Sequence, residues 1–160
     1  MSADGTVIVG YGNDGASSFR WTRVQGISWL TGVNGGATAI SGDGTTIVGG
    51  GGAGAYVYTD QDGYVLLETG GVYATPRTVN YDGKVIAGHS PELEWVWDRS
   101  HGLRTLSDLF HAQGTDPGNP IGRDPGYLYG YVYAISADGK VFAGEATDAD
   151  NYVRAWVARL

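Results

Sequence analysis

Four aspartates recur in one setting. Asp4, Asp43, Asp82 and Asp138 each precede a glycine, in "SADGTVIVG", "ISGDGTTIVG", "VNYDGKVIAG" and "ISADGKVFAG". Repeated carboxylates raise calcium as a chemistry, because that ion is held by several converging oxygens. One carboxylate per repeat does not supply such a cage locally, so a turn role is the simpler reading. The densest carboxylates lie elsewhere, at Glu145, Asp148 and Asp150 in "EATDAD", which reads as a solvated loop before it reads as a metal site. Three histidines, His89, His101 and His111, fall at different repeat positions. They have neither the helical spacing of metal ligands nor a neighbouring Ser and Asp in the manner of a triad. No catalytic residue, metal or cofactor is expected.

Aromatic rings offer the second chemistry. They pair at alternate positions, as Phe19/Trp21, Tyr56/Tyr58 and Trp95/Trp97, with Trp156 alone in the last copy. Alternate positions of a strand share a face, so Trp95 and Trp97 could stack together on a sugar ring. Recurrence at one place in every copy fits packing between sheets better. A third candidate is the segment 107–131, rich in Gly and Pro and so read as a long loop, where binding residues concentrate. It carries Arg123, Asp124, Tyr127 and Tyr129, with Tyr131 following. Guanidinium, carboxylate and rings together suit a glycan or protein partner, although Tyr129 and Tyr131 also read as the start of the next strand. The candidate ligand-binding set is thus Trp95, Trp97, Arg123, Asp124, Tyr127 and Tyr129.

The elements that must position these residues are legible from the spacing. The Asp-Gly pairs are separated by intervals of 39, 39 and 56 residues, the last being one period with a 17-residue insertion. Each Asp is followed six places later by Gly10, Gly49, Gly88 or Gly144, then by the aromatic pair, then by a Gly opening "GISWL", "GYVLL" or "GLRTL". A fixed period of this length marks a propeller, solenoid or array. Within one unit, "ATAIS", "TTIVG", "AYVYT" and "YVLLE" read as four short strands. Asp-Gly between the first two predicts a tight type I′ hairpin. The fold class is all-β, a propeller-like array of about four four-stranded antiparallel units. Their bounds are about 1–36, 37–73, 74–130 (with the insertion near 107–128) and 131–160, in a single repeat domain spanning 1–160. Only "TLSDLFHAQG" allows a turn of helix.

Composition bounds the partners. A net charge of −7 argues against nucleic acid, whose phosphates need basic patches. No stretch approaches the ~20 apolar residues of a membrane helix, so no membrane insertion by this chain is expected. There is no cysteine, which excludes a disulfide framework. The 28 glycines lack a triplet period and sit at turns and strand ends.

The phrase A-x-x-[IV]-S-x-D-G-x-x-[IV]-x-G, then an aromatic-x-Trp strand and Gly-x-x-x-Leu, resembles the HAF family of extracellular repeats found in bacterial surface proteins, including autotransporter-like passengers. "SSFRWTRVQGISWL" and the ending "YVYAISADGKVFAG…RAWVARL" carry the likeness most clearly. The third copy departs from it, with Asn80 for Ser and Tyr81 for a small residue. The sialidase-type Asp box is not matched, because here Gly directly follows Asp. The resemblance implies repeated β-sheet architecture and an extracellular or cell-surface place, with the export signal and any anchor outside this chain. The expectation is a non-catalytic scaffold or adhesion module; the alternative is a lectin-like carbohydrate-binding propeller. Because the first copy opens without its first strand and the last stops after its third, flanking repeats or self-association are expected to complete the edges.

Overall fold

The computed structural model describes residues 1–12, 15–91, 93–112, 130–147 and 152–159. The described residues form four antiparallel sheets in sequence order, each a meander. Strands β1 (Val7–Tyr11), β2 (Ser18–Thr22) and β3 (Gly26–Trp29) make the first. Strands β4 (Gly36–Ile40), β5 (Thr46–Gly51), β6 (Gly54–Thr59) and β7 (Gly63–Leu66) make the second. The third holds β8 (Thr75–Val79), β9 (Val85–His89), β10 (Glu94–Asp98) and β11 (Gly102–Thr105). After helix α1 (Leu106–Ala112), the fourth holds β12 (Gly130–Ile135), β13 (Val141–Thr147) and β14 (Val153–Arg159). The four strands expected of one unit are thus β4 to β7, and the repeat phase assigns β1 and β12 to second and first places respectively. Thr105 caps α1, its Oγ1 accepting from Asp108 N at 2.9 Å.

The Asp-Gly corners differ from the two-residue type I′ turn that the dipeptide predicts. Gly44 N donates to Ser41 O at 3.0 Å, and Ser41 N donates to Thr46 O at 2.8 Å. The turn is therefore Ser41-Gly42-Asp43-Gly44, with Gly44 at φ +77° in its last place. Only that final position needs a glycine's left-handed backbone. The Asp serves by its side chain: Asp43 Oδ1 accepts from Ser41 Oγ at 2.5 Å and from Thr45 N at 3.0 Å. Ser41 Oγ in turn accepts from Thr46 N at 2.9 Å. The same pair of serine bonds holds Ser2 to Asp4 and Val7, and Ser136 to Asp138 and Val141. Asn80 replaces serine without loss. Its Nδ2 donates to Asp82 Oδ1 at 2.8 Å and its Oδ1 accepts from Val85 N at 3.0 Å, so one amide supplies the donor and acceptor of one hydroxyl.

The corners also bond to one another. Ala3 N donates to Gly42 O at 2.9 Å, Asp43 N to Tyr81 O at 3.0 Å, and Asn80 Nδ2 to Ala137 O at 3.3 Å. A column of turns therefore runs along one edge of the stack from the first sheet to the fourth.

Three apolar cores fill the spaces between consecutive sheets. Val7, Ala37, Ile40 and Ile47 lie between the first and second. Val48, Ala55, Val79, Ile86 and Trp95 lie between the second and third, and Val96, Leu106, Val132, Phe142 and Trp156 between the third and fourth. The recurring glycine explains how bulky rings fit so thin a space. Gly10, Gly49, Gly88 and Gly144 pair across strands with Phe19, Tyr56, Trp95 and Trp156. A Cβ on Gly88 or Gly144 would stand 2.5 Å from Cζ2 of its partner's indole, so each ring lies across a bare backbone. Among the described residues, no helix is long and apolar enough to cross a membrane.

Candidate functional site

The residues singled out from sequence divide into three groups. Trp95 is fully buried, so it presents no face to a sugar; the correction follows from Gly88, whose missing side chain lets the indole sink between the second and third sheets. Trp97 is half-buried against the same core. Arg123, Asp124, Tyr127 and Tyr129 lie outside the described residues, as do Asp148 and Asp150.

One constellation that sequence dismissed does assemble, at the turn after β10. His101 Nδ1 lies 2.9 Å from both Asp98 Oδ1 and Ser100 Oγ, and Ser100 Oγ donates to Asp98 Oδ1 at 2.5 Å. It is not a nucleophile relay, because Ser and Asp share one ring nitrogen and the hydroxyl points at the carboxylate. Burial opposes the charge on Asp98, yet bonds from Ser100 and His101, with the Arg104 guanidinium, outweigh it and hold its pKa at about 2. The same turn recurs with other residues: Thr22 Oγ1 accepts from Gln25 N, and Thr59 Oγ1 from Asp62 N. Its role is to close a hairpin.

Chemistry gathers instead at the opposite end of the third and fourth sheets, away from the Asp-Gly corners. The first strand of each of the last three sheets carries one extra residue opposite the paired glycine, at Thr38, Arg77 and Tyr133. Such bulges re-aim a side chain. Arg77 is exposed; its Nε donates to His89 Nδ1 at 3.1 Å, and its guanidinium carbon stands 5.6 Å from the centroid of the Tyr131 ring. His89 meets Tyr131 edge-on at 5.3 Å, and Tyr131 stacks with Tyr133 at 6.1 Å and 24°. Tyr133 is half exposed, and its hydroxyl donates to Glu145 Oε1 at 2.8 Å.

Electrostatics make this end unusual. Accepting the Arg77 Nε–H requires Nδ1 of His89 to carry no proton, and burial followed by the Arg77 charge lowers the histidine pKa to match. Glu94 pairs across strands with His89 and is 7% exposed. Burial raises its carboxyl to about 8, against the opposing pull of Arg77 and the Val132 backbone, so the protonated form predominates near pH 7. Its Oε2 is buried and finds no partner among the described residues. Arg77 makes no ion pair among them either. The guanidinium is consequently without an ion-pair partner among the described residues, oriented by an imidazole and a phenol ring, beside a largely protonated acid, while the Glu145 carboxylate is held by the Tyr133 hydroxyl.

The second sheet shows what this end looks like without that chemistry. Where the third sheet has Arg77, His89 and Glu94, the second has Thr38, Gly50 and Ala55. The fourth has Tyr133, Glu145 and Ala155 in the same places. Superposing the repeats and asking where they differ would have found the site from sequence; each residue alone is unremarkable. In comparisons with known proteins, no family model and no curated protein sequence matches the chain.

Proposed function

We propose that this protein is a non-catalytic binding module, a rigid stack of repeated sheets that presents one ligand face where the third and fourth sheets meet. The observation that carries this reading is the division of labour between positions. Residues common to the repeats, the Ser/Asn-x-Asp-Gly corner and the Gly–aromatic pair, form the frame. Residues that break the repeat, Arg77, His89, Glu94, Tyr131, Tyr133 and Glu145, converge at one end. A propeller-like arc is the arrangement we favour, supported by packing of first strands on one another, β4 on β8 and β8 on β12. Placement in a bacterial surface protein, in adhesion, follows the likeness of the repeats to HAF sequences.

Carbohydrate binding is the second reading, favoured by the stacked tyrosine pair with an exposed half-ring. The test is capture of the full chain by a panel of immobilised surface glycans and extracellular proteins. The binding module should be retained by at least one, and Tyr133→Ala should abolish retention while Tyr11→Ala, at an exposed ring of the first sheet, leaves it intact. Equal retention of both variants would remove the ligand face from this end of the stack.

A further inference from the structure

Resting on that reading, we infer that the face takes a carboxylate-bearing saccharide, with the acid group on Arg77 and a sugar ring against Tyr133. Three independent observations converge. First, Arg77 is a prepared fork: its Nε is spent on His89 and its plane lies over Tyr131, which leaves the terminal nitrogens without a partner among the described residues. Guanidinium recognises carboxylate through two parallel N–H bonds, so an oriented, unpaired fork suits that group. Second, the nearest buried acid does not cancel the charge. Glu94 is nine-tenths buried with an unpartnered oxygen, and in this setting it keeps its proton. Third, the exposed side chains beside the fork are ring faces and a phenol–carboxylate pair, Tyr133 with Glu145, rather than an aliphatic pocket. A pyranose offers an apolar face for the ring and hydroxyls for the pair. A peptide would instead ask for pockets for its alternate side chains.

The groups facing Glu94 and Arg77 from the surrounding strands are His89 on β9, Tyr131 and Tyr133 on β12, and Glu145 on β13. Of these the His89 pKa is lowered and that of Tyr133 raised, chiefly by its bond to Glu145, so neither gains or loses charge near pH 8. Ionisation of Glu94 is then the event that neutralises Arg77 as pH rises through about 8.

The experiment is calorimetric titration of the full chain with trigalacturonate, its methyl ester and a short peptide with a free terminal carboxylate, at pH 6.5, 7.5 and 9. Trigalacturonate should bind at the two lower values, and masking its carboxylates or making Arg77→Lys should weaken it about tenfold, the worth of one charge-assisted fork. Binding should fall at pH 9 in the parent protein but not in Glu94→Gln. Circular dichroism of both variants checks that each is folded. Equal affinity for acid and ester overturns the carboxylate and leaves the ligand face standing. Preferential, Arg77-dependent binding of the peptide overturns the saccharide. Binding by none of the three overturns this inference, whereas the ligand face itself falls only if Tyr133→Ala retains every partner captured by the parent.

Discussion

The ring of Tyr81 lies directly over Gly42, the residue at the same place in the neighbouring corner. The four residues at this place are Ala3, Gly42, Tyr81 and Ala137, and the one glycine sits under the one large ring. A Cβ on Gly42 would collide with the ring, whose Cγ would be 3.0 Å away. Gly42→Ala should therefore cost about 1 kcal/mol in the parent, since Tyr81 can swing out only by giving up its contact. In a Tyr81→Ala background it should cost almost nothing. Urea denaturation of the two single variants and the double variant checks the coupling, and additive costs would contradict it.

Glycines under the aromatic rings should be far less forgiving. A Cβ on Gly88 meets both Trp95 and the Thr75 carbonyl, and neither a paired backbone nor a buried indole can retreat. Gly88→Ala should lose about 3 kcal/mol or prevent folding, in the upper range for an overpacked core. Gly52, with open space around its Cα, is the control; Gly52→Ala should be near neutral in thermal denaturation.

The Asn80 corner makes a separate point. Asn80→Ser would keep both bonds within the turn but lose the Nδ2 contact to Ala137 O at 3.3 Å, the link from the third corner to the fourth. The expected loss is about 1 kcal/mol, one net hydrogen bond. Amide exchange should show it concentrated in β12 and β13.

Stability should respond to pH at both ends of the range. Asp4, Asp82 and Asp138 have lowered pKa values, through bonds from Thr6, Lys84 and Ser136 respectively, and Asp43 through bonds from Ser41 and Thr45 that outweigh its burial. Their contribution is present above the ordinary value of 3.8 and disappears as pH falls through the lowered folded values. Asp43→Asn should make that acid limb shallower.

Glu94 works in the other direction. Between its ordinary value of 4.5 and about 8 the folded protein holds a proton that the unfolded chain has released. Stability accordingly declines as pH rises through this window, by on the order of 5 kcal/mol. Glu94→Gln should flatten the slope between pH 5 and 8 in urea midpoints, whatever its effect at any single pH.

The frame was readable in the sequence because its causes are local or strictly periodic. Strand lengths follow from β-branched runs, and the repeated Gly–aromatic interval is a cross-strand contact written at fixed spacing. The Asp-Gly corner was located but its type misjudged, because the side-chain bonds of Ser41 and Asp43 favour a longer turn than the dipeptide alone prefers. Trp95 drew attention as an aromatic when its partner glycine already consigned it to the core. Arg77, Glu94 and Tyr133 escaped notice, and His89 was read as a scattered histidine, for a different reason. They stand in two units, on four strands, and acquire meaning only when bulges and cross-strand registers bring them to one end.

Because each corner bonds only to the next and each apolar layer is shared by adjacent sheets, inserting or deleting a whole unit disturbs only the seam it creates, which must then fit locally as Gly42 fits Tyr81. Proteins of this design can lengthen by tandem duplication without refitting a global core. A copied unit can then vary at the end away from the corners, where the third carries Arg77 and Glu94, while its corner and its glycine are held by the contacts they make.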